Sequence, residues 1–122
     1  MGSFKNQILP YVEQEISAAR LNLRQGNAAA AFSHLERAHI LGQASTSIHT
    51  KIHWLMFIWG LRQKNYGECL GQIVRMIGAA TKTAFGLVPR GNTGGSNVSP
   101  FKVMSIPTDL QIILDTARKN PH

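Results

Sequence analysis

Four residues near the middle of the chain carry the chemistry that its residue types and spacings offer: Glu36, His39, His49 and His53. Glu36 and His39 are three positions apart and His49 and His53 four, so on helices each pair projects from one side. A turn over residues 42–45 folds the two helices back on each other, which sets Glu36 level with His53 and His39 level with His49 or Thr50. Four potential ligands then share two helical turns. Neutral imidazole nitrogens with one carboxylate oxygen suit zinc, iron, copper or nickel, and Glu-x-x-His is a spacing by which helical bundles present ligands to diiron centres. A diiron site wants further carboxylates, for which Glu13 and Glu15 are the nearest source. The same residues also have a structural reading, in which Glu36 hydrogen-bonds His39 or His53 and the cluster satisfies itself without an ion. His34, five positions before His39, points elsewhere.

The elements that must position these residues are helices. Pro10 suits a first helical turn, and Val12, Ile16, Ala19 and Leu23 follow at helical spacing until Gly26 and Asn27. Ala28 to Leu41 forms a second helix with a narrow stripe of Ala28, Ala31, Leu35 and Ala38, stopped by Gly42. After the capping cluster Ser45, Thr46 and Ser47, a third helix runs to about Gln63, so rich in apolar residues that it reads as the most buried one. Asn65 with Glu68 reads as the start of a fourth, carried to about Ala84 by Leu70, Ile73, Val74 and Ile77, with Glu68 in a capping role. The expectation is an all-α fold in a single domain. Residues 10–85 form two helix-turn-helix hairpins in a four-helix unit, residues 86–107 an irregular Gly/Pro-rich loop, and residues 108–119 a C-terminal helix opened by Thr108 and Gln111.

Within that loop, Asn92, Thr93, Gly94, Gly95, Ser96 and Asn97 form the segment best suited to meet a ligand or partner, since successive backbone amides can cradle an anion. The segment lacks the Gly-Lys-Ser/Thr ending of a phosphate loop and does not open directly into a helix, which favours a surface loop.

Offset by 38 residues, Leu23-Arg24-Gln25-Gly26-Asn27 recurs as Leu61-Arg62-Gln63-Lys64-Asn65, each at a helix-to-helix corner. On the same offset Ala31 matches Cys69, Leu35 matches Ile73 and Ala38 matches Met76. These features resemble tetratricopeptide-type helical hairpins, with two departures: the period is longer, and a stack normally needs about three repeats. The strings His34-Leu35-Glu36-Arg37-Ala38-His39-Ile40-Leu41-Gly42-Gln43, His49 with His53-Trp54, and Gly91 to Ser99 resemble a family of small bacterial proteins classified only as a domain of unknown function. That resemblance covers nearly the whole chain. It implies a bacterial, single-domain helical protein in which Glu36, His39, His49 and His53 belong to the family pattern, and it brings no activity with it.

Composition narrows the function classes. With 122 residues, 43% hydrophobic and 16% charged, the chain holds one core and leaves no room for a multidomain enzyme. The longest mostly apolar stretch, residues 52–61, is too short for a bilayer span, which argues against membrane insertion. A lone cysteine and the lack of a signal-peptide pattern point to a cytoplasmic address. The net charge of +7 suggests an anionic partner, but the basic residues are scattered from Lys5 to Lys119, which argues against nucleic acid. No Ser, His and Asp triad is arguable, Cys69 reads as an inert packed thiol, and at least one of Trp54 and Trp59 reads as core, so the chain leans away from an enzyme. Two readings stand: a binding protein holding a transition metal or small polar ligand between helices two and three, or a tetratricopeptide-like module for a protein partner, with a homodimer as one form. A basic nucleic-acid binder is the weaker third.

Overall fold

The computed structural model describes residues 2–84, 94–95 and 103–119. Five helices follow one another, α1 (Gly2–Arg24), α2 (Ala28–Gly42), α3 (Thr46–Arg62), α4 (Tyr66–Ala84) and α5 (Thr108–Lys119), and no strand occurs among the described residues. Helices α1 and α2 form one hairpin and α3 and α4 a second; α2 packs on α3, and α5 lies against α1 and α2. The core is built from one apolar row on each of four helices: Ile8, Val12, Ile16 and Ala19 from α1, Ala31, Leu35 and Ala38 from α2, Ile48, Ile52 and Met56 from α3, and Leu110, Leu114 and Ala117 from α5. These rows recur at three- and four-residue steps, so each of these four helices buries one stripe. Trp59 of α3 donates its indole N–H to the Ala28 carbonyl at 2.9 Å and packs on Phe32, which fastens the two hairpins together. On the other side, Arg37 of α2 bridges Glu15 of α1 and Asp109 of α5.

The repeat reaches down to single backbone hydrogen bonds. At the first corner Gly26 N donates to Leu23 O, Asn27 N to Asn22 O and Ala31 N to Asn27 O, at 3.1, 2.8 and 3.0 Å. At the second, Lys64 N donates to Leu61 O, Asn65 N to Gly60 O and Cys69 N to Asn65 O, at 3.2, 2.8 and 3.1 Å. Each of the second set lies 38 positions after its counterpart. Both corners require a left-handed residue: Gly26 has φ +82° and Lys64, in the same place, φ +56°. A side chain in that region is strained where glycine is not. Lys64→Gly is therefore expected to raise stability by about 0.5–1 kcal/mol, the relief of strain exceeding the extra freedom of the unfolded chain. Urea unfolding reads this directly, and an unchanged or lower midpoint counts against it.

Several expectations from the sequence are corrected. The first helix begins at Gly2 rather than Pro10, which lies inside it. Proline has no N–H for the carbonyl four residues back, but Asn6 and Pro10 are both exposed, so the missing bond falls on the solvent side. Glu15 is consequently mid-helix, where it meets His34 and Arg37 across the hairpin. Ser45 precedes α3 with extended backbone but makes no side-chain capping bond. The third helix has an open flank, with Lys51 exposed and Trp54 half-exposed and stacked on Phe57. Most notably, Leu70, Ile73, Val74 and Ile77, the residues that marked α4 as amphipathic, are exposed. The row that faces inward is Glu68, Cys69 and Gln72, because α3 presents a buried polar group to it.

Candidate metal centre

His39 comes from α2, and His49 and His53 come one turn apart from α3. All three are buried, with no more than 5% of any of them exposed. Their Nε2 atoms form a small triangle: 2.8 Å between His39 and His49, 3.1 Å between His49 and His53, and 3.2 Å between His39 and His53. The rings meet edge to face or tilted, with centroids 4.6–4.8 Å apart, so the nitrogens converge while the carbon edges spread outward.

A neutral imidazole nitrogen either carries a hydrogen and donates or is bare and accepts. The three edges of the triangle cannot all be hydrogen bonds, because at least two of the atoms must be of the same kind. One edge therefore sets two lone pairs, or two N–H groups, against each other in a buried place. A cation that accepts all three lone pairs removes that conflict.

The tautomer of one ring is fixed by its surroundings. Gln72, fully buried on α4, directs its amide nitrogen toward the Glu68 carboxylate and, at 3.0 Å, toward the Gly94 carbonyl. Both are acceptors, so the amide oxygen is the atom that faces His53 Nδ1, at 2.6 Å. His53 Nδ1 must then be the donor. Burial pushes the His53 imidazole down to about 4, the Arg75 charge adding to the effect and the Gln72 bond and Glu68 charge opposing it. A neutral ring with its proton on Nδ1 leaves Nε2 bare, aimed at the other two nitrogens.

The Gly94–Gly95 backbone is buried over this cluster. Arg75 donates to both carbonyls. Gly94 has φ +85°, and a Cβ built there would come within 2.5 Å of the His39 ring, so glycine is required both for the backbone conformation and for the approach.

Of the four residues expected to act together, His39, His49 and His53 are the group of candidate ligand residues whose ligand atoms lie within 4.8 Å of one another among the described residues. Glu36 is not part of that group. It is partly buried a turn before His39, and burial first and the Glu68 carboxylate second push its carboxyl above the usual range. His34 turns away from the cluster to Glu15, 2.8 Å distant. Cys69 is buried on α4, with Sγ 3.7 Å from the Phe57 carbonyl oxygen. Of the loop residues, Gly94 and Gly95 are the two just described, whereas Asn92, Thr93, Ser96 and Asn97 lie outside the described residues.

Sequence reasoning missed Gln72 and took Glu68 for a cap. The cap is Asn65, whose side-chain oxygen accepts the Glu68 N–H at 3.1 Å, while the Glu68 carboxylate accepts from Gln72. The 38-residue offset contained the signal. It pairs Glu15 with His53, His34 with Gln72 and Arg37 with Arg75. In each hairpin the first two cross-link the helices, and the arginine reaches the segment that packs on that hairpin: α5 from Arg37, Gly94–Gly95 from Arg75.

Fold and site together define a small all-α protein of two hairpins that bury a convergent trio of imidazoles between them. The chain belongs to the family described as Protein of unknown function (DUF3703), whose model matches residues 6–114. No curated protein and no solved structure gives a significant match. Among the described residues no helix is long and apolar enough to cross a membrane.

Proposed function

We propose that this protein binds one transition-metal ion between α2 and α3, with His39, His49 and His53 each donating Nε2. The observation that carries the reading is the convergence of three buried imidazole nitrogens in a triangle whose three edges cannot all be hydrogen bonds. Its dimensions support it as well. With metal–nitrogen bonds of about 2.0–2.1 Å, a tetrahedral ion holds its nitrogens roughly 3.3 Å apart and an octahedral one roughly 2.9 Å apart. The 2.8–3.2 Å edges bracket the second and need open by about 0.1–0.5 Å for the first. Three protein ligands would leave a further coordination position for water or a small ligand. Zinc, iron, copper and nickel all accept imidazole, and the fixed facial geometry favours zinc or iron(II) over square-planar copper(II) or nickel(II). Glu68, whose charge acts on His53, would supply negative charge near the ion.

The test is elemental analysis of tag-free protein purified without chelator, followed by titration of the metal-free form with cobalt(II) and zinc. The expected result is one ion per chain and a visible cobalt spectrum that zinc displaces. Protein that carries no metal and gives no spectral change with cobalt(II) refutes the reading and leaves the histidines as a structural network.

A further inference from the structure

We propose that Gln72 is the positioning residue of the three-histidine site: it commits His53 to the tautomer with a bare Nε2 and ties that ring to the Gly94 backbone that covers His39, and so sets how tightly an ion is held. This rests on the metal reading above.

Gln72 uses both ends of its amide. The oxygen takes the His53 Nδ1 proton, and the nitrogen is anchored by the Glu68 carboxylate on its own helix and by the Gly94 carbonyl. Reversing the amide would set its N–H groups against the Nδ1–H and its oxygen against a carboxylate and a carbonyl, so the orientation is fixed at three points. Full burial adds to this, since an unmet amide group there has no water to turn to. The consequence for His53 is specific. A ring whose Nδ1 lacks an acceptor is free to carry its proton on Nε2, where it blocks the lone pair that an ion needs. The consequence for His39 runs through the backbone. Gly94 approaches that ring closely enough that a single added carbon would overlap it, and Gln72 and Arg75 both donate to the Gly94 carbonyl. Gln72 thus joins α4 to a ligand on α3 directly and to the ligand on α2 through Gly94. Partners that orient a metal-bound imidazole commonly control affinity in this way.

Three proteins separate this role from general packing. Gln72→Leu keeps the bulk and removes both ends of the amide. The double variant Glu68→Gln/Gln72→Glu exchanges the pair, so that the carboxylate accepts from His53 Nδ1 and the amide at 68 donates to it, while the bond to the Gly94 carbonyl is given up. Cobalt(II) affinity is measured by competition titration against a chelator, and the tautomer of His53 by nitrogen NMR on the metal-free proteins. Gln72→Leu is expected to bind cobalt(II) about 10- to 100-fold more weakly, and the exchanged pair to recover the part of that loss that runs through the His53 tautomer. His53 is expected to carry its proton on Nδ1 in the unaltered protein and the exchanged pair, and to shift toward Nε2 in Gln72→Leu. Cobalt(II) binding unchanged in Gln72→Leu, or an Nε2-protonated His53 in the unaltered protein, overturns the proposal. Should Gln72→Leu not fold, the exchanged pair decides alone, since loss of both the tautomer and the affinity there is equally fatal. If the unaltered protein binds no cobalt(II) or zinc, the metal reading fails by itself, and the tautomer measurement still tests whether Gln72 orients His53.

Discussion

Replacing His49 and His53 together by alanine is expected to abolish the thermal stabilisation that zinc or cobalt(II) gives the unaltered protein. The site exists in the native state and not in the unfolded chain, so an ion at a thousand times its dissociation constant adds about 4 kcal/mol to stability. For a domain of this size that corresponds to a rise in melting temperature of roughly 15 °C. The double variant retains His39 as a single imidazole, and one exposed or buried histidine does not hold a divalent ion against water at micromolar concentration. The metal-free proteins supply the second half of the comparison. If the three histidines are a structural network, the double variant melts well below the unaltered protein and ions shift neither one. If they are a metal site, the difference between the two proteins grows with added ion. Differential scanning fluorimetry of both proteins across a zinc series distinguishes the cases, and parallel curves at all zinc concentrations would sink the metal reading.

The helical hairpins were legible because their signals are local. Gly26 with Asn27 and the Lys64-Asn65 corner sit where the chain turns, and the apolar rows of α1, α2 and α5 repeat at helical spacing. The convergence of His39 with His49 and His53 was legible for the same reason, since a tight turn after Gly42 fixes the register of α2 against α3. What could not be read was which face of a helix turns inward when both faces have a claim. On α4 the apolar row Leu70, Val74 and Ile77 outweighs Cys69 and Gln72 in any pattern based on hydrophobicity, yet the row with Gln72 is buried. Hydrogen bonding to a buried imidazole decides it, and that bond joins residues 19 positions apart. Glu36 shows the converse. Its spacing from His39 is right for a shared face, but equal height on two helices does not bring a carboxylate into the converging tip of three rings. The start of α1 at Gly2 was hidden because a proline at an exposed position inside a helix carries the same local signature as a proline in its first turn.

Acid should weaken the metal-free protein over a definite interval. His53 has an ordinary value of 6.5 when unfolded and about 4 in the native state, because burial opposes its charged form. Between those values the unfolded chain takes up a proton that the native protein refuses, so stability falls as the pH drops from about 6.5 toward 4 and the contribution changes no further below that. A difference of this size amounts to about 3 kcal/mol. Glu36 acts in the opposite direction, since its raised carboxyl gains a proton in the native state before the unfolded chain does, and this adds stability as the pH falls toward 4.5. Asp109, held below the usual carboxylate range chiefly by its hydrogen bond to Arg37, loses its contribution only at and below about 4, outside most of the interval. The net expectation is a decline between pH 6.5 and 4.5 that is shallower than His53 alone would give. Urea unfolding of chelator-treated protein at half-unit steps measures the curve, and His53→Gln, which has no proton to gain, should flatten the upper part of it. A decline of equal slope in both proteins would show that the His53 ring is not held neutral by its burial. With zinc present the upper part should steepen instead, because each imidazole must be neutral to hold the ion and protonation in the unfolded chain competes with binding.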